Sequence, residues 1–216
     1  QTHGGPIHWR NIFIREIGSD EANQWLSALD QEGFESIFNG KDFTGWQGAL
    51  GQYEAVDGCM ISQGGGNLFT ERSYRDFIWK MDFKLPPGGN NGLAIRYPGH
   101  GNPAYSGFCE LQVLDNHAPQ YANLDPRQYH GSVYGKVAAA RGYLRPPNEW
   151  NYQMVRLQGS QLQVELNGTL ILDADVATIS EFMSPKFKAE LPSVGRLGFA
   201  GHGKGVAFRN LWIKDL

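Results

Sequence analysis

"SYRDFIWKMDFKLPPGGNNGLAIRY" occupies residues 73–97, near the middle of the chain. Phe77, Trp79, Met81, Phe83 and Leu85 take every second position, with Ile78, Lys80, Asp82 and Lys84 between them. A period of two belongs to a strand with one buried face, not to a helix. "PPGGNNG" (86–92) breaks the pattern, because proline fixes φ and glycine admits left-handed backbone; it reads as a turn. "GLAIRY" (92–97) then resumes as an extended run. The centre of the chain is therefore strand, turn, strand.

The same signature extends outward. "LQGSQLQVELNGTLILDADV" (157–176) is a hairpin: Leu162, Val164 and Leu166 alternate with Gln161, Gln163 and Glu165, and Asn167-Gly168 is the type I′ turn signal. "ATISEFM" (177–183) reads as a short helical turn, and "GRLGFAGHG" and "VAFRNLWIKDL" as two closing strands. One segment differs. In "SDEANQWLSALDQEG", Ala22, Trp25, Leu26 and Leu29 share a helical face, with Ser19 or Asp20 as N-cap and Gly33 as stop. A helical connector is expected over 20–32, within a linker of 19–32. Many short strands between turn signals indicate an all-β sandwich or barrel.

Composition narrows the function. The 216 residues fit one domain able to bury a core without metals or disulfides. A net charge of −3 offers no basic field for nucleic acid or an acidic membrane surface. No apolar run reaches membrane-spanning length. The two cysteines, Cys59 and Cys109, sit in strand-like stretches and read as small buried hydrophobes, with a disulfide left open. Six Trp and nine Tyr include flat aromatics suited to stacking on sugars.

The chain also repeats itself. "HGGPIHWRNIFIREI" (3–17) aligns without gaps on "HGKGVAFRNLWIKDL" (202–216): His3 falls on His202, Arg10 on Arg209, Asn11 on Asn210 and Ile14 on Ile213. Self-similarity at a fixed offset marks a repeated structural unit. The expectation is that residues 1–18 are the last strand of a preceding homologous domain and that 33–216 form the domain proper. A bare strand there would be a sticky edge. Residues 1–17 are therefore expected to pair with that domain, a neighbouring chain or an edge of this sandwich.

Three stretches are more polar than a structural strand requires. In "FCELQVLDNH" (108–117), Glu110 and Gln112 share a face opposite Leu111 and Val113, and Asp115, Asn116 and His117 crowd the end. In "QYHGSVYG" (128–135), His130, Ser132 and Tyr134 form a stripe; in "GLAIRY", Arg96 follows two small residues. A solvated sheet face explains such patterns as well as a cleft does. If the three strands are neighbours, Arg96, Glu110, Gln112, His130 and Tyr134 line one groove suited to a polyhydroxylated ligand. Asp57 reads as structural. No nucleophile elbow, Walker loop or zincin helix occurs, and the histidines lack metal-ligand spacing. No metal or cofactor is required; Asp115 and Asn116 offer oxygens of the kind calcium takes, but a solvated turn fits the spacing better.

Several of these segments, taken together, resemble the 3-keto-disaccharide hydrolase family. They are "GFESIFNGKDFTGWQ" (33–47), "VDGCMISQGGGNLFTERSYRDFIWKMDFKLPPGGNNGLAIR" (56–96), "GFCELQVLDN" (107–116), "HGSVYG" (130–135), "NEWNYQMVRLQGSQLQVELNG" (148–168) and the terminal "GHG…FRNLWIKDL". The resemblance covers essentially 33–216. It implies a concanavalin-like jelly roll with a ligand groove, a bacterial and commonly exported protein (periplasmic or extracellular), and action on glycosides oxidised at C3. The expected reaction is proton removal at C2, elimination at C1 and hydration. Glu110 and His130 are the candidate base and acid. Arg96 and Tyr134 are candidate oxyanion or hydroxyl donors, and Gln112 and Asp115 candidate sugar-binding groups. These roles rest on residue pattern, not on the family. The alternative is a non-catalytic, lectin-like carbohydrate-binding module, because fold does not fix function. The insert "PGHGNPAY" (98–105) is positioned to reshape the groove.

Overall fold

The computed structural model describes residues 4–105 and 110–216. In chain order its elements are helix α1 (Ser19–Ala28) and strands β1 (Glu35–Ser36), β2 (Trp46–Gly48), β3 (Tyr53–Val56), β4 (Cys59–Gln63), β5 (Gly66–Tyr74), β6 (Phe77–Lys84), β7 (Asn90–Tyr97), β8 (Glu110–Leu114), β9 (Trp150–Gln158), β10 (Gln161–Leu166), β11 (Thr169–Asp175), β12 (Gly195–Gly201) and β13 (Lys204–Asp215). All pairings are antiparallel. One sheet runs β11-β10-β9-β6-β13-β4-β3, with β1 added on β13; the other runs β2-β5-β12-β7-β8. The result is the expected all-β sandwich, a jelly-roll-like pair of sheets.

The alternation in β6 explains how the sheets meet. Phe77, Trp79, Met81 and Phe83 all join the central core, together with Leu93, Leu111, Val113, Leu197 and Phe199 from the second sheet. Burying each such side chain contributes roughly 1.5–3 kcal/mol. Of the outward residues of β6, Ile78, Lys80 and Asp82 are buried too, and helix α1 with the chain after it lies over Lys80 and Asp82. Asn23 Nδ2 donates to Asp82 Oδ1 at 3.1 Å, and Lys80 Nζ donates to the carbonyls of Leu29 and Asp30 at 2.5 and 3.0 Å. Those two carbonyls leave the helical ladder for Lys80, and Asp30 turns left-handed with φ 49°. The helix therefore ends at Ala28 rather than continuing to residue 32. Its anchor is polar Asn23; Trp25 and Leu29 of the apolar face remain exposed.

Residues 7–17 belong to neither sheet. From Gly4 to Gly18 the backbone forms no strand and its side chains are exposed. Among the described residues no helix is long and apolar enough to cross a membrane.

Candidate active site on the outer face of the five-stranded sheet

The face of β7 turned away from the core carries small side chains. Leu93 and Ile95 point inward to the core, which leaves Asn90, Gly92 and Ala94 outside. Register then sets their neighbours. Gln112 of β8 lies opposite Gly92 and Glu110 opposite Ala94; on the other flank Ala200 of β12 lies opposite Gly92. Counting two further along β12 brings His202 to the same face.

The small residues allow one long reach. The Glu110 side chain lies directly over Gly92: a Cβ added there would stand 2.8 Å from the carboxyl carbon. Across that gap Glu110 Oε1 comes within 3.7 Å of His202 Nε2. The carboxylate is 3% exposed and the imidazole 47%. Glu110, as hydrogen-bond acceptor first and as charge second, raises the His202 pKa against the desolvation that lowers it. The pair is a buried carboxylate behind an accessible imidazole, the arrangement in which a carboxylate fixes and charges a catalytic base.

The surroundings are held by an aromatic pair. Phe69 of β5 and Tyr97 of β7 meet edge-to-face at 5.3 Å. The Tyr97 hydroxyl donates to the Gly101 carbonyl at 2.6 Å, and Asn67 Nδ2 donates to that hydroxyl at 3.1 Å. The insert expected to reshape the groove is thus tied to the sheet through Gly101. Lys136 Nζ donates to the carbonyl of Ala104 in the same insert.

The expected adjacency of three strands is present. Residues 129–134 run antiparallel beside β8, with Leu111 opposite Val133, and Tyr134 N donates to the Glu110 carbonyl at 3.0 Å. Gln112 lies on the same face as Glu110, its amide donating to Asn90 Oδ1 at 3.4 Å. Tyr134 is half-buried, its hydroxyl accepting from Gln128 at 2.9 Å. The other expected residues are drawn elsewhere. His130 is wholly buried and stacks on core Phe83 at 4.9 Å between ring centres; burial lowers its pKa to about 4. Its Nδ1 accepts from Leu114 N at 3.4 Å. Arg96 has φ 46° and commits its guanidinium to the Arg75 carbonyl, Asp76 and the Pro192 carbonyl. Asp115 accepts from Gly88 N at 2.8 Å and His117 N at 3.0 Å, pinning the β6–β7 turn to the end of β8. The structure does not bring His130, Arg96 and Asp115 to the Glu110 carboxylate. His202, which the sequence reading passed over, does reach it.

Two cavities lie away from this pair. The larger, about 1070 Å³, is at the end of the sandwich and includes Arg75, Asp76 and Arg96; the smaller, about 310 Å³, is beside Asp115 and His117. Cavity size does not set the functional centre: the larger cavity holds the Arg96–Asp76 ion pair, and in the smaller His117 Nδ1 lies 3.5 Å from Asp115 Oδ1, a carboxylate already committed to Gly88 N and His117 N. Among the described residues no three His, Cys, Asp or Glu side chains converge as a metal site. Cys59 is a free thiol whose pKa is raised by burial; the pairing considered with Cys109 lies outside the described residues.

With this geometry in view, residues 33–214 match the family described as the 3-keto-alpha-glucoside-1,2-lyase-like domain. The chain belongs to that family. A similar protein is the 3-keto-disaccharide hydrolase of Bacteroides thetaiotaomicron, 25% identical over a 248-residue alignment that covers 94% of this chain and 86% of the relative. A crystal structure of a glycosyl hydrolase candidate from Parabacteroides distasonis superposes with a TM-score of 0.76 at 26% identity, covering 86% of this chain and 94% of that one. A galectin-like protein of unknown function from Bacillus subtilis shares the fold alone, with a TM-score of 0.50 and 12% identity over 79% of this chain and 89% of that one.

Proposed function

We propose that this domain cleaves 3-keto-glycosides by elimination followed by hydration, with His202 and Glu110 as its proton-moving pair. Membership of the lyase-like family supports 3-keto-glycosides as the substrate class. The observation that carries the residue assignment is the Glu110 carboxylate laid across Gly92 to His202. A ketone at C3 makes the C2 proton acidic. With its N–H on Nε2 facing Glu110, the His202 imidazole keeps a lone pair on Nδ1 to remove that proton. The electron pair left at C2 is shared with the C3 oxygen as an enolate. It then forms the C1–C2 double bond as the glycosidic C1–O bond breaks. The imidazolium, stabilised by Glu110, returns a proton to the departing oxygen. Water then adds across the double bond, hydroxyl to C1 and hydrogen to C2, for net hydrolysis. Gln112 and Tyr134 are the donors on this face for the sugar oxygens and the enolate. Arg96, His130 and Asp115 keep structural roles in this scheme. We place the protein in the bacterial periplasm or outside the cell on the family resemblance; fractionation of the native host checks it.

The test is turnover of a 3-keto-glucoside, followed by release of its aglycone. The parent chain should release it and leave the unoxidised glucoside intact. Failure to turn over any 3-keto-glycoside, with retained binding of plain sugars, would replace the enzyme by the carbohydrate-binding alternative.

A further inference from the structure

The self-similarity of residues 3–17 and 202–216 acquires a geometric content once β13 is seen. In β13 the residues that enter the core are Val206 and Phe208, then Leu211 and Ile213; Ala207, between the first two, is buried on the other face. The alternation slips by one residue between them. A bulge lies between Arg209 and Trp212 in the pairing with β6, and Asn210 sits left-handed with φ 53°. The N-terminal segment repeats the slip. Its counterparts to the four core positions are Ile7, Trp9, Ile12 and Ile14, all apolar, while His8 stands at the Ala207 position. At the slip stands Asn11, also left-handed, with φ 56°. Left-handed backbone is uncommon outside glycine, and plain alternation between two strands would reproduce neither the phase change nor its asparagine.

In its own sheet β13 is also specified by charge. Arg209 Nε donates to Asp82 Oδ2 at 3.1 Å and Asn210 Nδ2 donates to the same oxygen at 2.8 Å. Arg10 and Asn11 retain both donors. Yet among the described residues no such carboxylate faces Arg10 and Asn11: Trp9 is 79% exposed and Ile14 98%, and Trp25 and Leu29 of α1 extend the exposed apolar surface.

We propose that residues 7–17 are a closing strand for a second jelly-roll domain of this family. They take there the place that β13 takes here, between the counterparts of β6 and β4. Ile7, Trp9, Ile12 and Ile14 enter that domain's core, and Arg10 with Asn11 binds the carboxylate at its Asp82 position. The proposal is independent of the catalytic assignment, because it concerns only what the strand fits.

The decisive experiment transplants the segment within the whole chain: residues 206–216 are replaced by the sequence of 7–17. The expected result is a folded protein melting within about 10 °C of the parent, a loss of the size a few exchanged core side chains cause. The same eleven residues reordered to strict alternation, with the asparagine moved off the slip, should not fold. Failure of the first transplant, or equal success of the second, overturns the proposal. Light scattering on the parent chain is the second measurement. Its own slot is filled by β13, so a monomer is expected; a dimer abolished by Ile12→Asp would assign the segment to another surface of a second copy and overturn the proposal.

Discussion

His202 and His130 flank the same end of the five-stranded sheet and do opposite things. His202 stands outside, half exposed, with a buried carboxylate raising its pKa. His130 stands inside against Phe83, and burial drives its pKa down to about 4. The first imidazole is biased toward its charged form by the carboxylate beside it; the second is held neutral by burial. What separates them is one glycine. Alternation along 128–135 would put His130 beside Tyr134 on the Glu110 side. Gly131, with φ 80°, turns the backbone and aims His130 into the core instead.

The contrast breaks most sharply at the pair itself. Glu110→Gln and His202→Asn should each lower kcat/KM on a 3-keto-glucoside by about 10²–10⁴-fold, the usual worth of a positioned acid or base. The double variant should lose little more than either single one, because the two act as a unit. His130→Gln should turn over at near the parent rate wherever it remains folded. Full activity in Glu110→Gln would move the chemistry away from this face.

A smaller effect is expected where the pair is assembled. Gly92→Ala places a methyl where the Glu110 carboxyl now lies. Displacing a catalytic group by about 1 Å can cost 10²-fold, so a loss of about 10–10²-fold in kcat, with melting little changed, is the outcome to look for. An unchanged kcat would mean that Glu110 does not need to cross β7.

These positions mark what residue pattern can and cannot reveal. The sheets were legible because β6 and β10 alternate without interruption in sequence, and the Asn167-Gly168 turn joins β10 to β11 as expected. The adjacency of 92–97, 110–114 and 129–134 entered only as a condition, because shared polarity suggests a common face but does not order strands. The faces were not legible wherever a left-handed residue reset the alternation, as at Gly131 and at Arg96 itself. His202 was hidden for another reason. It follows β12, far from Glu110 in sequence, and only sheet order with an intervening glycine brings the two together. The clue that was available is the smallness of Gly92, Ala94, Gly198 and Ala200, which clears one face of two neighbouring strands. The helix end was missed because Lys80, from another element, captures the carbonyls that would have continued it.

Acidity sharpens the comparison further. If neutral His202 is the base, kcat/KM should fall about tenfold per pH unit on the acid side, with its midpoint above the ordinary histidine value of about 6.5. In Glu110→Gln, whatever activity remains should have that midpoint shifted downward, since the raising influence is gone. A midpoint unmoved by the substitution would detach the carboxylate from the imidazole.

The least effect on turnover, and the clearest on stability, belongs to His130. Its folded pKa of about 4 lies below the unfolded value of about 6.5, so between these limits the unfolded chain binds the extra proton. Stability is therefore fully present above about pH 6.5 and declines as the pH falls toward 4, by up to about 3 kcal/mol in all. His202 has the opposite sign: its raised pKa favours the folded state below about 6.5, and that contribution is lost as the pH rises through the folded value. His130→Gln keeps an acceptor for Leu114 N but cannot titrate. Denaturant unfolding at pH 7 and pH 5 should show the parent losing more stability than this variant over the same interval. Equal losses would mean that the buried imidazole is already protonated at pH 5, and the two histidines would no longer differ in the way that assigns one to structure and the other to chemistry.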